Sequence, residues 1–224
     1  MCSGKQQSLT DRAYVLLREE IITCTLRPGT EIGEQDLALR LTMSKTPVRE
    51  ALARLTLEGL VEAFPRRGYR ITPVTLKDIT DIFTVRKALE CAAAELAAVR
   101  MSDDDLDALE AMANHTYRHD VSVPVLEFVD ANKTFHVAIA QGARVPRLDA
   151  LIRGYLEECS RLFYLGATIR DVTPETQGDH GRIVKSLRKR DPAAAREAMA
   201  QHTENTRRGL LNALISNESS SLAL

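Results

Sequence analysis

Histidines in the second half of the chain are the side chains best suited to binding a metal ion. There are five of them: His115, His119, His136, His180 and His202. Each lies on a predicted helix, and the last three come from three separate helices. Imidazoles that converge from separate helices of a bundle would form a metal site in its core. Sequence alone does not show convergence, and a single helical histidine is more often a polar residue with satisfied hydrogen bonds.

Spacing separates these histidines into two groups. His115 and His119 are four residues apart, which is a spacing that can bind a metal, but their segment is polar almost all round. We interpret that pair as part of a solvated helix face. Asn132 and His136 are also four residues apart, so Asn132 lies on the same helix face as a candidate ligand.

Two arginines are candidates for binding an anion in the same half of the chain. Arg86 and Arg161 lie on the first and fourth of its predicted helices. A guanidinium group can hold a carboxylate through two parallel hydrogen bonds. A structural salt bridge explains Arg161 at least as well. Both residues are therefore candidates for contact with a small carboxylate.

Small polar and basic side chains at the start of a short helix indicate a second kind of chemistry. Lys45, Thr46 and Arg49 occupy the first turns of this helix, and a basic tip follows at residues 65–68. Lysine and arginine can bind guanine O6 and N7 or phosphate, and threonine can contact phosphate or a thymine methyl group. The pattern predicts insertion into a DNA major groove. The alternative is an ordinary helical hairpin with solvated charges, because helix-turn-helix geometry is weakly encoded.

Two short helices and a small β-wing must position these DNA-contacting candidates. Residues 34–41 predict the first helix, and the second begins after a break, with Ser44 or Thr46 able to cap it. Apolar residues three and four positions apart predict one buried face on the second helix; they are Val48, Ala51, Leu52 and Leu55. Runs at residues 60–64 and 69–72 predict a two-stranded wing. Another helix is predicted from residue 9 to about residue 23.

The second half of the chain has only helical patterns. Six helices are predicted from residue 75 onward, with no further strand. The fold class is therefore mainly α, with an N-terminal winged helix-turn-helix, its small β-wing, and a C-terminal all-α six-helix bundle. We place the boundary where Pro73 leaves the wing. Residues 1–72 are the predicted DNA-binding domain, and residues 73–224 are the predicted effector-binding and dimerisation domain.

Composition and charge exclude several classes of protein. Of the 224 residues, 44% are hydrophobic and 27% are charged, as in ordinary globular proteins. Residues 1–72 hold 11 Lys and Arg against 9 Asp and Glu, whereas the rest holds 19 against 22. The basic excess thus lies where DNA contact is predicted. The four cysteines are widely spaced, which predicts reduced thiols. The sequence has neither a long apolar run nor the apolar core of a signal peptide, so we expect a cytoplasmic protein with no membrane contact.

The chain closely resembles the GntR family of bacterial transcription regulators over one stretch, SKTPVREALARLTLEGLVEAFPRRGYRI. Members contact operator DNA from the start of the second helix, the recognition helix and the wing tip. By resemblance, the DNA contacts are Gln35, Ser44, Lys45, Thr46, Arg49, Arg67 and Gly68. The family often has arginine where this chain has Lys45, and some members have arginine in place of Gln35. Lysine lacks the guanidinium fork, so the family's base preference does not carry over.

The second half resembles the FCD effector domain of FadR-type members of that family. The resemblance lies in VRKALECAAAELAA, NKTFHVAIA and DHGRIVKSLRKRDPAAA. In the six-helix, VanR-like branch, such domains commonly hold a divalent metal through one Asp and three His, and the metal and nearby arginines bind a small carboxylate. By resemblance, the histidine ligands are His136, His180 and His202. Arg86 stands where the family often has arginine.

Asn132 occupies the position of the family's aspartate ligand. An asparagine offers a neutral carbonyl oxygen and no charge, so it should weaken the binding of a hard divalent cation. Asp130 lies about 200° round the helix from Asn132, and we do not expect it to substitute. Zinc, nickel and manganese all remain open as the metal.

These patterns together predict a one-component transcriptional regulator, expected to be a repressor and not an enzyme. A homodimer would read an inverted repeat in double-stranded operator DNA, and a small carboxylate would alter its affinity. Two alternatives stay open. The ion itself could be the signal of a metal-responsive regulator, or a three-histidine metal centre could activate water in an enzyme. The sequence shows no general base or nucleophile constellation to support the enzyme.

Overall fold

The computed structural model describes residues 8–114, 125–169 and 173–221 of the chain. The chain divides into two compact units, Met1–Val74 and Thr75–Leu224. Each unit has buried apolar clusters of its own. His115 and His119 lie outside the described residues, so the interpretation of that pair as a solvated face stays a prediction.

Three helices and a three-stranded sheet make up the described part of the first unit. Its elements are α1 (Leu9–Ile22), β1 (Glu31–Ile32), α2 (Glu34–Leu41), α3 (Lys45–Leu57), β2 (Val61–Phe64) and β3 (Gly68–Ile71). The strands are antiparallel in the order β1-β3-β2. Both strands of the predicted wing are confirmed as β2 and β3, and the sheet has a third strand, β1, that the sequence did not predict. With only two residues, β1 is too short to show the alternation by which a strand is recognised.

Helices α1 and α3 pack against each other to form the core of this unit. Leu17 and Ile21 of α1 are completely buried, as is Ile71 of β3. All four apolar positions predicted for α3 are also completely buried. This packing confirms the predicted buried face of α3 and leaves its opposite face to solvent, where the candidate DNA contacts lie.

The start of α3 differs in detail from the prediction. Ser44 is the N-cap residue, but its side chain makes no capping hydrogen bond. Thr46 lies inside the helix, one residue after its first, and is exposed. The predicted capping by Ser44 or Thr46 is therefore wrong, and both side chains remain at the exposed N-terminal end of α3.

The start of β3 requires a glycine. Gly68 has a φ of +95°, a backbone conformation that side chains with a Cβ rarely adopt. A Cβ at this position would lie 3.0 Å from the carbonyl oxygen of Ile32 in β1. The close approach of β1 and β3 thus depends on the absence of a side chain at residue 68.

Six helices make up the described part of the second unit, where no strand is found. They are α4 (Leu76–Arg100), α5 (Asp103–Ala113), α6 (Val125–Gly142), α7 (Pro146–Ile169), α8 (Thr173–Arg188) and α9 (Pro192–Ser221). Thr75 and Ser102 cap α4 and α5, and each forms a capping box with an aspartate three residues later. The predicted all-α six-helix bundle is confirmed.

Helix α4 is the central element of the bundle, since it contacts α6, α7, α8 and α9. Its neighbours α6, α8 and α9 carry the three candidate histidine ligands, so α4 can supply groups to all of them. Among the described residues, no helix combines the length and apolar character needed to cross a membrane.

Candidate DNA interface and candidate metal centre

The candidate DNA contacts on α2 and α3 form one exposed polar surface. Gln35, Ser44, Lys45, Thr46 and Arg49 are all exposed. The Lys45 Nζ atom donates a hydrogen bond to Gln35 Oε1 at 3.2 Å. The structure therefore brings the start of α2 and the start of α3 together on one side of the first unit.

Arg49 is bound by a residue that the sequence patterns did not single out. Its Nε atom lies 2.9 Å and 3.1 Å from the two carboxylate oxygens of Glu34, and its Nη2 atom lies 2.8 Å from Oε2. The Tyr69 hydroxyl of β3 donates to Glu34 Oε1 at 3.1 Å. The hydrogen bond from Arg49 lowers the pKa of Glu34, so this carboxylate is ionised at neutral pH.

The wing tip joins β2 to β3 and carries two exposed arginines. Arg66 and Arg67 are both exposed, and the Arg67 backbone N–H donates to the Phe64 carbonyl oxygen at 3.0 Å, closing the turn. Arg70 is paired with Glu62 of β2 at 2.6 Å. The positive charge of the wing is therefore concentrated at its tip, beside Gly68, as a contact to the DNA backbone requires.

Three buried histidines converge in the second unit. His136 of α6, His180 of α8 and His202 of α9 are 2%, 6% and 3% exposed. One ring nitrogen from each lies within 4.8 Å of the other two. The Nε2 atoms of His136 and His202 are only 3.1 Å apart. The structure thus supplies the convergence that the sequence left open.

Two carboxylates that the sequence patterns did not single out lie against ring nitrogens of this cluster. Glu90 Oε2 lies 2.5 Å from His136 Nδ1, and Asp179 Oδ2 lies 3.3 Å from His202 Nδ1. A carboxylate can only accept a hydrogen bond, so Asp179 favours the tautomer of neutral His202 that has the proton on Nδ1 and a lone pair on Nε2. The Nε2 atom of His202 faces that of His136 at a distance where the two rings can share either a proton or a cation.

His180 completes the cluster. Its ring stacks on Phe135 with 3.8 Å between centroids and 9° between planes. Its Nε2 atom is buried and has no hydrogen-bond partner among the described residues. Burial and the neighbouring histidines lower the pKa of His180 well below its usual value, and burial does the same for the pKa of His202. Neutral imidazoles with available lone pairs are the form that binds metals, so this donor set fits a divalent ion.

The Glu90 carboxylate links the cluster to Arg86. Arg86 is 2% exposed, its Nε atom donates to Glu90 Oε1 at 2.7 Å, and its guanidinium lies against the rings of Phe83 and Phe163. Burial alone would raise the pKa of Glu90, but the charge of Arg86, with the His136 ring beside it, outweighs burial and holds that pKa well below its usual value. Arg86 is therefore part of a buried ion pair.

The remaining candidates lie in the interior of the same unit. Asn132 is 7% exposed and Arg161 is 8% exposed. Asn132 and Asp179 both line a cavity of about 40 Å³ whose other walls include Phe128 and Phe163. Its remaining lining residues are Ala167, Thr176, Asn205, Thr206, Gly209 and Leu210. The wall of the cavity thus combines neutral amide and hydroxyl groups with the carboxylate of Asp179, which contacts His202 of the histidine cluster.

Asp130 is exposed on α6. Its side chain points to solvent, whereas Asn132 and His136 are buried. Replacement of the missing aspartate by Asp130 therefore receives no support, which agrees with the expectation from helical geometry. Asp179 and Glu90 are the buried carboxylates that the cluster contacts instead.

Comparison with known proteins identifies both halves of the chain. A family model described as bacterial regulatory proteins, gntR family, matches residues 9–71. A second model, the FCD domain, matches residues 81–205. Both matches confirm the resemblances drawn from the sequence motifs, and their order along the chain agrees with the two units of the structure.

Relatives of known sequence and structure cover most of the chain. It is 28% identical over 201 residues to the HTH-type transcriptional repressor RspR of Escherichia coli (strain K12), covering 88% of this chain and 87% of that protein. It is 30% identical over 195 residues to the HTH-type transcriptional regulator YdhC of Bacillus subtilis (strain 168), covering 84% and 85%. A transcriptional regulator GntR from Rhodococcus sp. RHA1, whose crystal structure is known, is 25% identical with a TM-score of 0.69, covering 91% and 97%.

Proposed function

This chain belongs to the GntR family of bacterial regulatory proteins, and we propose that it is a repressor whose operator affinity is controlled by a small organic acid. It is a transcriptional regulator and not an enzyme, because its relatives are regulators in both sequence and fold. In this proposal, residues 1–72 bind the operator and residues 73–224 bind the effector. A cytoplasmic location stays a prediction.

Operator binding is assigned to the exposed surface of α2 and α3 and to the wing tip. The residues proposed to contact DNA are Gln35, Ser44, Lys45, Thr46, Arg49, Arg67 and Gly68. A helix with exposed small polar and basic groups at its N-terminal end suits the major groove, and a basic hairpin suits the backbone beside it. A homodimer reading an inverted repeat would double these contacts. The name of RspR as a repressor supports the proposed sign of regulation.

Effector binding is assigned to the buried cluster and the cavity beside it. The single observation that carries this proposal is the convergence of three buried imidazoles, with the Nε2 atoms of His136 and His202 at 3.1 Å. His136, His180 and His202 would hold a divalent ion such as zinc, nickel or manganese, with Asn132 beside them. When bound, the ion would supply positive charge that attracts a carboxylate, and Arg86 and Arg161 are the proposed cationic partners of that anion.

DNA-binding experiments test this proposal directly. Fluorescence anisotropy with duplex DNA from upstream of the gene should show saturable binding that weakens steeply with added salt. Small carboxylates should then be screened on protein loaded with zinc, nickel or manganese. At least one acid should change operator affinity, because an effector must differ in affinity between two states of the protein. Binding that is neither saturable nor salt-sensitive would remove the proposal's main support.

A metal-responsive regulator is the second candidate, and the closed shape of the cluster favours it. The three ligand nitrogens are buried, and the adjoining cavity of about 40 Å³ is small. Titrating metal alone against operator affinity separates the two candidates. A change of affinity with metal alone would make the ion the signal, whereas a change that also needs an acid would support the first proposal.

A further inference from the structure

Arg49 makes all of its side-chain hydrogen bonds in the described part of the chain with one residue, Glu34. The contacts run from Nε to Oε1 at 2.9 Å, from Nε to Oε2 at 3.1 Å and from Nη2 to Oε2 at 2.8 Å. The Arg49 side chain is nevertheless 63% exposed, while that of Glu34 is 22% exposed. The arginine is thus held at one edge and open to solvent at another.

The geometry of the guanidinium group shows which edge stays open. It carries five N–H donors in a planar fork, of which Glu34 takes the side edge formed by Nε and Nη2. The end edge, formed by Nη1 and the second N–H of Nη2, points away from the carboxylate. That end edge has the two parallel donors that bind guanine O6 and N7 in the major groove. A carboxylate at the side edge therefore leaves the base-reading edge free.

Glu34 also contacts the wing. The Tyr69 hydroxyl of β3 donates to Glu34 Oε1 at 3.1 Å. Burial is the larger cause that raises the pKa of Tyr69, and the hydrogen bond to this carboxylate is the second. One carboxylate at the start of α2 therefore holds an arginine of α3 and a tyrosine of the wing strand. The equivalent contact of Lys45 is a single hydrogen bond to a neutral group, Gln35 Oε1, which fixes a flexible lysine far less.

We propose that Glu34 is a positioning residue that makes Arg49 a reader of guanine. By holding the side edge, it removes rotamer freedom from Arg49 before DNA binds and aims the end edge outward. Its negative charge also repels DNA phosphates, which weakens binding to every sequence alike and leaves the preference for guanine to the end edge of Arg49. This inference rests on the proposed function, since it assumes that α3 enters the major groove.

In vitro selection tests the inference without requiring a known operator. The pool consists of duplexes with a randomised segment of about 30 base pairs, which is long enough for two half-sites one helical turn apart. The wild-type protein should enrich sequences with a G·C pair at one fixed position of each half-site, preferred roughly tenfold. Glu34→Ala and Arg49→Ala should each reduce that preference to about twofold or less, leaving the other selected positions in place. Asp36→Ala is the matched control, since it removes an exposed carboxylate from the first turn of the same helix.

Affinity for poly(dA-dT), which has no guanine for Arg49 to read, gives a readout that a purely structural role would not move. Glu34→Ala and Asp36→Ala should both bind it more tightly than the wild type, because each removes one negative charge near DNA. Only Glu34→Ala should also lose the G·C preference. In the Arg49→Ala background, adding Glu34→Ala should cause no further loss of preference, because the two residues act as a unit. Thermal unfolding of each variant confirms that it is folded.

The outcomes separate failure of the inference from failure of the proposed function. A wild-type protein that enriches no sequence at all would overturn the proposed function itself. A wild-type protein that enriches a motif while Glu34→Ala enriches the same motif equally would overturn the role of Glu34. Retention of every base preference by Arg49→Ala would overturn the role of Arg49 as the reader.

Discussion

A single side chain, Asn132, distinguishes this histidine cluster from the ligand set expected by resemblance. It is buried one turn before His136 on α6, where an aspartate would add a negative charge beside the three imidazoles. Hard divalent ions bind carboxylate oxygen more strongly than a neutral amide oxygen. The site therefore has the nitrogen ligands of a metal centre but lacks one of its charges.

Asn132→Asp should strengthen metal binding by about tenfold or more, with the larger gain for manganese than for zinc, because manganese prefers oxygen ligands. Competition against a chromophoric chelator measures the change. Asn212→Asp is the matched control, since Asn212 is exposed on α9 and should leave metal affinity unaltered. Equal affinities for wild type and Asn132→Asp would show that residue 132 does not face the ion.

Glu90 is the residue whose removal should cost the most stability. Glu90→Gln would leave Arg86 as a buried charge without its partner, and breaking such a pair costs about 3–5 kcal/mol. Chemical denaturation measures the free energy of unfolding. Glu95→Gln in the same helix is the control, because the Glu95–Arg196 pair is about half exposed and should contribute at most about 1 kcal/mol. Similar losses in both variants would contradict the importance of the buried network.

At the scale of elements, the sequence predicted the helices well because their evidence is periodic. The buried face of α3 follows from spacing along the chain. β1 left no such signal, because two residues form a strand only when β3 lies beside them. The sequence also did not predict the contacts of Glu34 with Arg49 and of Glu90 with His136. In each case the two residues lie on different helices, and only the packing of those helices brings them together.

The predicted metal ligands show the same limit within the candidate site. Histidine identity and helical placement could be read from the sequence, and the resemblance selected three of the five. The 3.1 Å approach of two Nε2 atoms depends on how α6 and α9 pack, which periodicity does not encode. Ser44 is a case in which the residue type predicts a contact that the structure does not contain. It occupies the N-cap position of α3, but its hydroxyl makes no capping hydrogen bond.

The start of β3 gives a prediction about the wing. Gly68→Ala should destabilise the first unit by about 1–3 kcal/mol, because it combines a positive φ with a Cβ that would lie 3.0 Å from the Ile32 carbonyl oxygen. Gly154→Ala is the control, since Gly154 is exposed on α7, where a Cβ meets nothing within 4 Å, and alanine should stabilise by about 0.5–1 kcal/mol. Thermal unfolding measures both, and loss of stability in both variants would contradict this explanation.

Charges on α3 and the wing tip give a prediction about DNA binding. Lys45→Ala and Arg67→Ala should each weaken operator binding and reduce the slope of log affinity against log salt by about 0.9, the value for one phosphate contact. Anisotropy titrations over a range of salt concentrations measure this slope. Lys189→Ala, which removes an exposed positive charge at the end of α8, should leave the slope unchanged. An unchanged slope in the first two variants would place DNA elsewhere on the protein.

At the scale of the whole molecule, sequence recognition is assigned to one unit and ligand sensing to the other. Helix α4 is central to the second unit, where it supplies both Arg86 and Glu90 to the histidine cluster. An ion held by that cluster would stabilise the packing of α6, α8 and α9 around α4. Regulation then requires that operator affinity differ between the loaded and the metal-free protein.

The most direct test of ligand sensing by the histidine cluster is the metal content of the untagged protein, measured by elemental mass spectrometry. We expect about one divalent ion per chain, falling to none in His202→Ala, while Asn212→Ala keeps the wild-type content. Such a result would show that the cluster binds metal despite Asn132. Absence of metal from the wild-type protein, even after soaking with zinc, nickel and manganese, would contradict the proposed metal centre.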